Sequence, residues 1–341
     1  MKAVILAGGK GTRLRSVTGD LPKPMVPLAG KPVMERIIEL LRAQGFAEIC
    51  AALCYHPEPI MAHFGDGSAF GVQLEYRLET EPRGTAGSVL ACRDFYQDED
   101  FLIISGDAAC DFDLRGLMER HKQADAAVTM ALFPNAEPLQ YGLVLQDKQG
   151  FVRHFIEKPD WEHVVTDMVN TGIYIMSPRA MAYVPEGEKF DFAKDLFPLL
   201  LECGETILGV PMDGYWCDIG TPRSYYQCSL DVLDGCLGTQ EEAEACPPQA
   251  QAAQPSGQTG RAVPCRNRAR LMRTASEALM EFGADFSDGL SFRDGSWNVR
   301  VHPAADVSEL RVESETAEAA DGTAHLLELM EQSEDSSQPR R

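Results

Sequence analysis

The sequence predicts an α/β protein: a mostly parallel, doubly wound sheet with a strand-rich insertion, plus a small α+β unit near the C-terminal end. Three observations predict it. An apolar run, Ala3 to Leu6, leads straight into Leu6-Ala7-Gly8-Gly9-Lys10-Gly11-Thr12-Arg13-Leu14, which reads as a buried strand feeding a tight loop. Apolar runs then alternate with amphipathic stretches to about residue 133, the pattern of parallel strands covered by helices on both faces. After Tyr141 the pattern becomes strand-rich, and after Asp234 its character changes again.

The elements follow in order. Residues 32–44 place Val33, Ile37, Leu40 and Leu41 on one helical face, with Pro32 at the start and Gly45 as a stop. A strand is expected over 48–54 and a helix around 59–64. Gly84-Thr85-Ala86-Gly87 opens the next helix. Residues 101–105 read as a buried strand, 114–122 as a helix and 126–133 as a strand. The insertion supplies strands at 141–145, 151–155 and 169–176. A helix over 192–202 and a strand over 207–210 return the chain to Tyr215-Trp216-Cys217-Asp218. This gives a first domain of residues 1–235. Residues 236–262, rich in Gln, Ala, Pro and Gly, read as a flexible linker. A small ordered unit is expected over 263–332: a helix at 272–282, strands at 290–292, 297–301 and 310–313, and a helix at 324–330. Residues 333–341 are polar and expected to be disordered.

Composition narrows the function. The 341 residues are 44% hydrophobic, as in a soluble globular protein. No apolar run approaches the roughly 20 residues of a membrane helix, and the N-terminus enters a strand without a signal peptide. A cytoplasmic address is therefore expected, with no membrane partner. The formal charge is −21. Residues 1–235 hold 21 Lys and Arg against 34 Asp and Glu, which argues against nucleic acid as a partner. The ten cysteines show no CxxC pair and read as idle thiols in a reducing compartment. The histidines show no metal-ligand spacing and read as surface residues.

An acidic chain that binds an anion needs a local exception, and the first loop supplies one. Gly8, Gly9 and Gly11 can take backbone angles closed to other residues, so that amide N–H groups converge on phosphate oxygens. Arg13 and Lys23, the latter in Leu21-Pro22-Lys23-Pro24-Met25, add full positive charge. The loop is not of the Walker type, because Gly11 follows Lys10 where that loop has Ser or Thr. The plain alternative is a glycine turn with two solvated cations. Asp107 in Ser105-Gly106-Asp107 stands at a strand's carboxyl end, well placed for a hard cation riding on phosphates. Asp111 and Asp113 suit a turn or a helix cap better. Asp218, before Ile219-Gly220-Thr221-Pro222, is a second exposed carboxylate. Its plain alternative is a cap, a role that Thr221 could also fill.

Taken together, GGxGTRL, LPKPM, SGD, Gly84-Thr85-Ala86-Gly87, Glu157-Lys158-Pro159, Asn170-Thr171-Gly172 and WCDIGTP make residues 1–235 resemble the sugar nucleotidyltransferase family, most closely its bacterial mannose-1-phosphate guanylyltransferase-like members. The resemblance implies a Rossmann-like nucleotide-diphospho-sugar transferase fold with a sugar-binding insertion. It also implies transfer of a nucleotidyl group from a nucleoside triphosphate to a sugar 1-phosphate, with release of pyrophosphate. Leu6, Ala7, Gly8, Gly9, Gly11, Thr12, Arg13, Lys23, Glu81, Gly84, Thr85, Ala86, Gly106 and Asp107 would bind the nucleotide. Tyr141, Gly142, Glu157, Lys158, Asn170 and Thr171 would bind the sugar phosphate. Asp107 and Asp218 would share Mg2+, and Arg13, Lys23, Asp107, Lys158 and Asp218 would carry the chemistry. The leading expectation is GTP plus mannose 1-phosphate, giving GDP-mannose. The alternatives are a glucose-1-phosphate uridylyl-, thymidylyl- or adenylyltransferase and, in a different class, a non-catalytic nucleotide-sugar sensor. A homo-oligomer is left open. The 263–332 unit resembles the last domain of phosphohexomutases such as phosphomannomutase. Its phosphate loop would fall at His302-Pro303-Ala304-Ala305-Asp306-Val307, where the mutase pattern RPSGTEP is lost.

Overall fold

Among the described residues, thirteen strands precede residue 238: β1 (Lys2–Leu6), β2 (Pro27–Leu28), β3 (Lys31–Pro32), β4 (Glu48–Leu53), β5 (Gln73–Leu78), β6 (Phe101–Ser105), β7 (Ala108–Cys110), β8 (Val128–Pro134), β9 (Gly142–Gln146), β10 (Val152–Glu157), β11 (Met168–Met176), β12 (Ile207–Pro211) and β13 (Trp216–Asp218). Four more follow: β14 (Arg261–Pro264), β15 (Leu290–Asp294), β16 (Trp297–Pro303) and β17 (Glu309–Ser314). The structure, a computed structural model, describes residues 1–15, 19–237, 261–264, 273, 290–294, 297–303 and 309–314. It divides into two compact units, 1–131 with 171–247 and 132–170 with 248–341.

In the first unit β1 lies between parallel neighbours, in register with β4 (Lys2↔Glu48) and β6 (Ala3↔Leu102). β4 pairs parallel with β5. Burial on both faces explains why β1, β4 and β6 read as unbroken apolar runs. Ala3, Val4 and Ile5 are fully buried. β11 adds antiparallel to β6 (Ile173↔Ile104), and β8 pairs with β11 and β12. The chain runs β1, β4, β5 in one direction across the sheet, then returns to place β6 on the other side of β1. The order therefore reverses at β1/β6, and the carboxyl ends of those two strands are where such a sheet takes a ligand.

The helix Val33–Ala43 buries Val33, Met34, Ile37, Ile38 and Leu41, with Leu40 at the margin of the expected face. Gly45 at φ 85° ends it. The helix Leu114–Ala124 is capped by Asp113, whose side chain accepts the Gly116 N–H. Its His121 is 2% exposed and meets Thr129 Oγ1 at 2.9 Å. This corrects the surface reading: seen as one face of a helix, His121 belongs with Leu117 and Met118. The expected helix at 192–202 is a π-helical turn, Phe192–Leu196, continued by the α-helix Phe197–Glu202. The described cysteines are free thiols. Cys50 and Cys92 touch at 3.6 Å, and Cys54 falls outside β4. Burial pushes the Cys110 thiol up to about 12. Among the described residues no helix is long and apolar enough to cross a membrane.

In the second unit β9 and β10 form an antiparallel hairpin (Glu157↔Gly142). Its turn is closed by Asp147, whose side chain accepts the N–H groups of Gln149 and Phe151. β14, β17, β16 and β15 make a four-stranded antiparallel sheet in that order. The three strands expected at 290–313 are present. β14 was not expected, and it occupies positions 261–262 of the expected linker. β16 runs beside the short turn Trp161–His163, and the Arg273 guanidinium lies 3.1 Å from Asp167, a side chain 1% exposed. The contacts thus group the strand-rich insertion with the C-terminal residues. The expected helices at 272–282 (apart from Arg273) and 324–330, most of the expected linker, the tail 333–341 and residues 304–307 lie outside the described residues.

Candidate active site

The loop after β1 is held close to the sheet. Ala7 donates its N–H to Ala52 O at 3.0 Å, and a Cβ on Gly8 would meet Cys54 Cβ at 3.1 Å. Gly11 needs its glycine twice over. Its φ is +58°, and the aliphatic stem of Lys23 lies 2.8 Å from where a Cβ would be. The short turn Thr12–Leu14 follows, anchored by buried Leu14. Pro22 and Pro24 bracket Lys23 in a second short turn, so the backbone of Lys23 is fixed before its side chain reaches across the loop. After it, the β2–β3 hairpin turns on Ala29 and Gly30, both with positive φ, the two-residue geometry that matches strand twist.

Lys23 Nζ ends in an ion pair with Asp107 Oδ2, the two side chains 14% and 22% exposed. Ser105 Oγ donates to Asp107 Oδ1 at 2.6 Å. Gly106 has no room for a side chain because Leu6 O stands 3.0 Å from its Cβ position. β13 pairs antiparallel with β7, setting Asp218 opposite Ala108, and the Ile219 N–H donates to Asp107 O at 3.1 Å. A Cβ on Gly220 would lie 2.7 Å from Asp218 Oδ2 and 3.2 Å from Arg13 Nη2. Thr221 caps the helix Pro222–Leu233 through a capping box with Ser224, so Asp218 is not needed as the cap. Arg13, Lys23, Asp107 and Asp218 thereby gather at the β1/β6 end of the sheet: two cations and two carboxylates.

Those carboxylates suit a hard cation. Both offer oxygen, and no third His, Cys, Asp or Glu completes a cage among the described residues. The set therefore fits a magnesium ion that brings phosphate oxygens and water with it, and the ammonium of Lys23 marks where positive charge is already tolerated.

Gly84 and Gly87 serve packing. A Cβ on Gly84 would stand 2.5 Å from Phe190 O, and one on Gly87 would stand 3.2 Å from Glu188 O. They admit the 188–190 backbone. Glu81 is exposed ahead of them.

In the second unit Lys158 takes a left-handed φ of 48°, donates its N–H to Tyr141 O at 3.1 Å, and points its ammonium to within 3.5 Å of Glu157 Oε1. It is 60% exposed. A Cβ on Gly142 would lie 2.6 Å from the Phe155 ring and 3.0 Å from Glu157 Oε2. Asn170 is half-buried on β11. Thr171 is a buried sheet residue, 3% exposed, whose hydroxyl donates to Ala131 O at 2.7 Å. Sequence reasoning gave no role to Ser105 or Gly220, which stand inside the quoted motifs SGD and WCDIGTP, nor to Asp191, whose Oδ1 accepts the Thr85 N–H at 3.1 Å and which has no local mark.

Residues 2–235 match the family described as Nucleotidyl transferase. The chain belongs to this family. Among its relatives, the UTP–glucose-1-phosphate uridylyltransferase of Synechocystis sp. is 39% identical over 246 residues, covering 68% of this chain and 63% of that one. The mannose-1-phosphate guanylyltransferase of Mycobacterium tuberculosis is 35% identical over 234 residues, covering 68% and 65%. The chain thus spans just under two thirds of the length of these two relatives. Among solved structures, HddC from Yersinia pseudotuberculosis complexed with GMP-PN superposes with a TM-score of 0.59 at 29% identity, over 68% of this chain and 99% of that one. The α/β nucleotidyltransferase fold of this chain is the fold of that neighbour.

Proposed function

We propose that this protein transfers a nucleotidyl group from a nucleoside triphosphate to a sugar 1-phosphate, releasing pyrophosphate. The observation that carries this reading is the meeting of Arg13, Lys23, Asp107 and Asp218 where β1 and β6 end. The attacking atom is a phosphate oxygen of the sugar 1-phosphate, already anionic at neutral pH. No general base is required, and the difficulty is electrostatic. Catalysis is then alignment and neutralisation of charge. Arg13 stabilises the departing pyrophosphate, Lys23 the phosphates near the reacting centre, and Lys158 the incoming sugar phosphate. Magnesium, held by Asp107 and Asp218, would supply Lewis-acid charge at the α-phosphate.

Within this reaction the leading pair is GTP and mannose 1-phosphate, supported by relatives named for that activity at 33–35% identity. A second reading, UTP with glucose 1-phosphate, rests on the 39% identical Synechocystis relative. Four triphosphates tested against mannose, glucose and other sugar 1-phosphates, scored by pyrophosphate release, separate the two. Turnover with no pair would overturn the transferase reading in favour of a nucleotide-sugar sensor.

A further inference from the structure

β6 is apolar until its last residue. Phe101, Leu102, Ile103 and Ile104 are fully buried, and Ser105 ends the strand half-buried. Both neighbouring strands hold it there: β1 sets Leu6 opposite Ser105, and β11 sets Ile173 opposite Ile104. On the β11 side stands Gly172, whose φ is +76° and whose Cβ position lies 3.4 Å from Ser105 Cβ. A hydroxyl so placed needs a partner, and it finds one two residues on: Ser105 Oγ donates to Asp107 Oδ1 at 2.6 Å.

The backbone under that carboxylate is fixed as well. The Gly106 N–H donates to Leu6 O at 2.9 Å, and the Ile219 N–H donates to Asp107 O at 3.1 Å. What remains to Asp107 is rotation of its side chain. The last torsion of an aspartate is broad and roughly two-fold, and the Ser105 hydroxyl takes that freedom away. Oδ1 is committed to Ser105, and Oδ2 is left to Lys23 Nζ. Two chemically equivalent oxygens are thereby given different tasks.

We propose that Ser105 is a positioning residue that restricts Asp107 to presenting one oxygen, Oδ2, and so favours magnesium over calcium at this carboxylate. This rests on the proposed function, in which Asp107 holds magnesium. Magnesium takes a strict octahedral set, keeps several waters and uses few carboxylate contacts, whereas calcium accepts both oxygens of one carboxylate in a larger, flexible set. A carboxylate with one oxygen tied by a hydroxyl suits the smaller ion. Without Ser105 the carboxylate turns and offers both oxygens, which suits the larger one. The other role open to this bond is to stabilise the turn after β6, and that role does not depend on which cation is present.

The test compares Ser105→Ala, Ser105→Thr and Asp107→Asn in the full chain. Ser229→Ala, which removes a hydroxyl bonded to Tyr225 O, is the control. Mn2+ is bound with GTP or UTP and no sugar phosphate, so that nothing turns over, and its electron paramagnetic resonance spectrum is followed as Mg2+ or Ca2+ displaces it. The readout is the ratio of the Mg2+ and Ca2+ concentrations that displace half of the bound Mn2+, which does not depend on how tightly Mn2+ itself is held. In Ser105→Ala this ratio should rise about tenfold, the size of effect that loss of a hydrogen bond to a metal ligand produces. Ser105→Thr, which keeps the hydroxyl, and Ser229→Ala should match the unaltered chain. In pyrophosphate release, Ser105→Ala should need about tenfold more Mg2+ for half its maximal rate, with kcat at saturating Mg2+ and KM for the sugar phosphate within about twofold. An unchanged ratio in Ser105→Ala, or a raised one that Ser105→Thr does not restore, overturns the proposal and leaves Ser105 a turn-stabilising residue. Failure of the underlying reading looks different. If the unaltered chain holds no Mn2+, or Asp107→Asn holds it equally well, Asp107 is not a metal ligand and both readings fall.

Discussion

Lys23 and Asp107 are paired with each other, so under the proposed function nucleotide binding would be an exchange of ion partners, the triphosphate taking the ammonium and leaving the carboxylate for a metal. Asp107→Asn and Asp218→Asn keep size but remove that charge, and each should lower the rate of pyrophosphate release by about two orders of magnitude. Their stabilities should differ. Asp107→Asn strands a Lys23 side chain only 14% exposed and should lower Tm slightly, whereas Asp218→Asn should not; near-normal turnover in Asp218→Asn would remove that residue from the reaction. At the two phosphate ends, Lys158→Ala should raise KM for the sugar phosphate about 10- to 100-fold through loss of a charge-assisted contact of about 1.5–3 kcal/mol. Arg13→Ala should instead weaken triphosphate use and turnover. If Lys158→Ala disturbs only the triphosphate, its assignment to the sugar phosphate is wrong. Asp107 was legible because Ser-Gly-Asp directly follows an apolar strand, and Asp218 because Gly-Thr-Pro follows it. Asp191 was not, since its partner Thr85 is fixed by folding and no spacing along the chain records a contact of that range.

Elements buried on both faces could be read from the sequence, and those whose state depends on neighbours could not. β6 matches its apolar run because every residue from Phe101 to Ile104 is fully buried. β5 went unnoticed: Gln73-Leu74-Glu75-Tyr76-Arg77-Leu78 is an edge strand with only Leu74 buried, too polar to register as apolar periodicity. The helix Leu114–Ala124 offers a test at this scale. Burial of His121 lowers its pKa from 6.5, against the opposing pull of Asp100 at 3.7 Å. The unfolded chain therefore takes up a proton at a pH where the folded chain does not. The stability this residue contributes is complete above pH 6.5 and is lost as pH falls below it. Differential scanning calorimetry from about pH 7.5 to about pH 5.5 should show a Tm decline that is shallower in His121→Gln, whatever that variant's starting Tm. Parallel declines would show that other groups govern the acid limb.

At the scale of the whole molecule, the insertion and the C-terminal residues belong to one compact unit, although nothing in the sequence of either joins them. From sequence, a chain ending near residue 238 is expected to fold and keep its activity. Such a chain also loses Arg273 from beside Asp167, a carboxylate 1% exposed. The cost of a buried acid losing a partner is about 1–3 kcal/mol. Truncation after Leu237 should therefore lower Tm by several degrees, and Asp167→Asn should recover part of the loss in the truncated chain but not in the full one. Equal Tm for the truncated and full chains would show that the ion pair contributes nothing.

The pairing of β7 with β13 also sets an order in time. The chain leaves the ribosome from its N-terminus, and a contact between distant segments cannot form before the later one emerges. Lys23 and Asp107 can meet once β6 and the loop after it are out, while Asp218 must wait for the insertion and residues 190–192 to be made. A nascent chain stalled before Trp216 thus carries a paired lysine and one carboxylate, with neither the second carboxylate nor the wall that Gly220 makes beside Arg13. Under the proposed function, the growing polypeptide would not act on nucleotide until nearly the whole family domain has been synthesised, because the last strand of that domain, β13, is the one that brings Asp218.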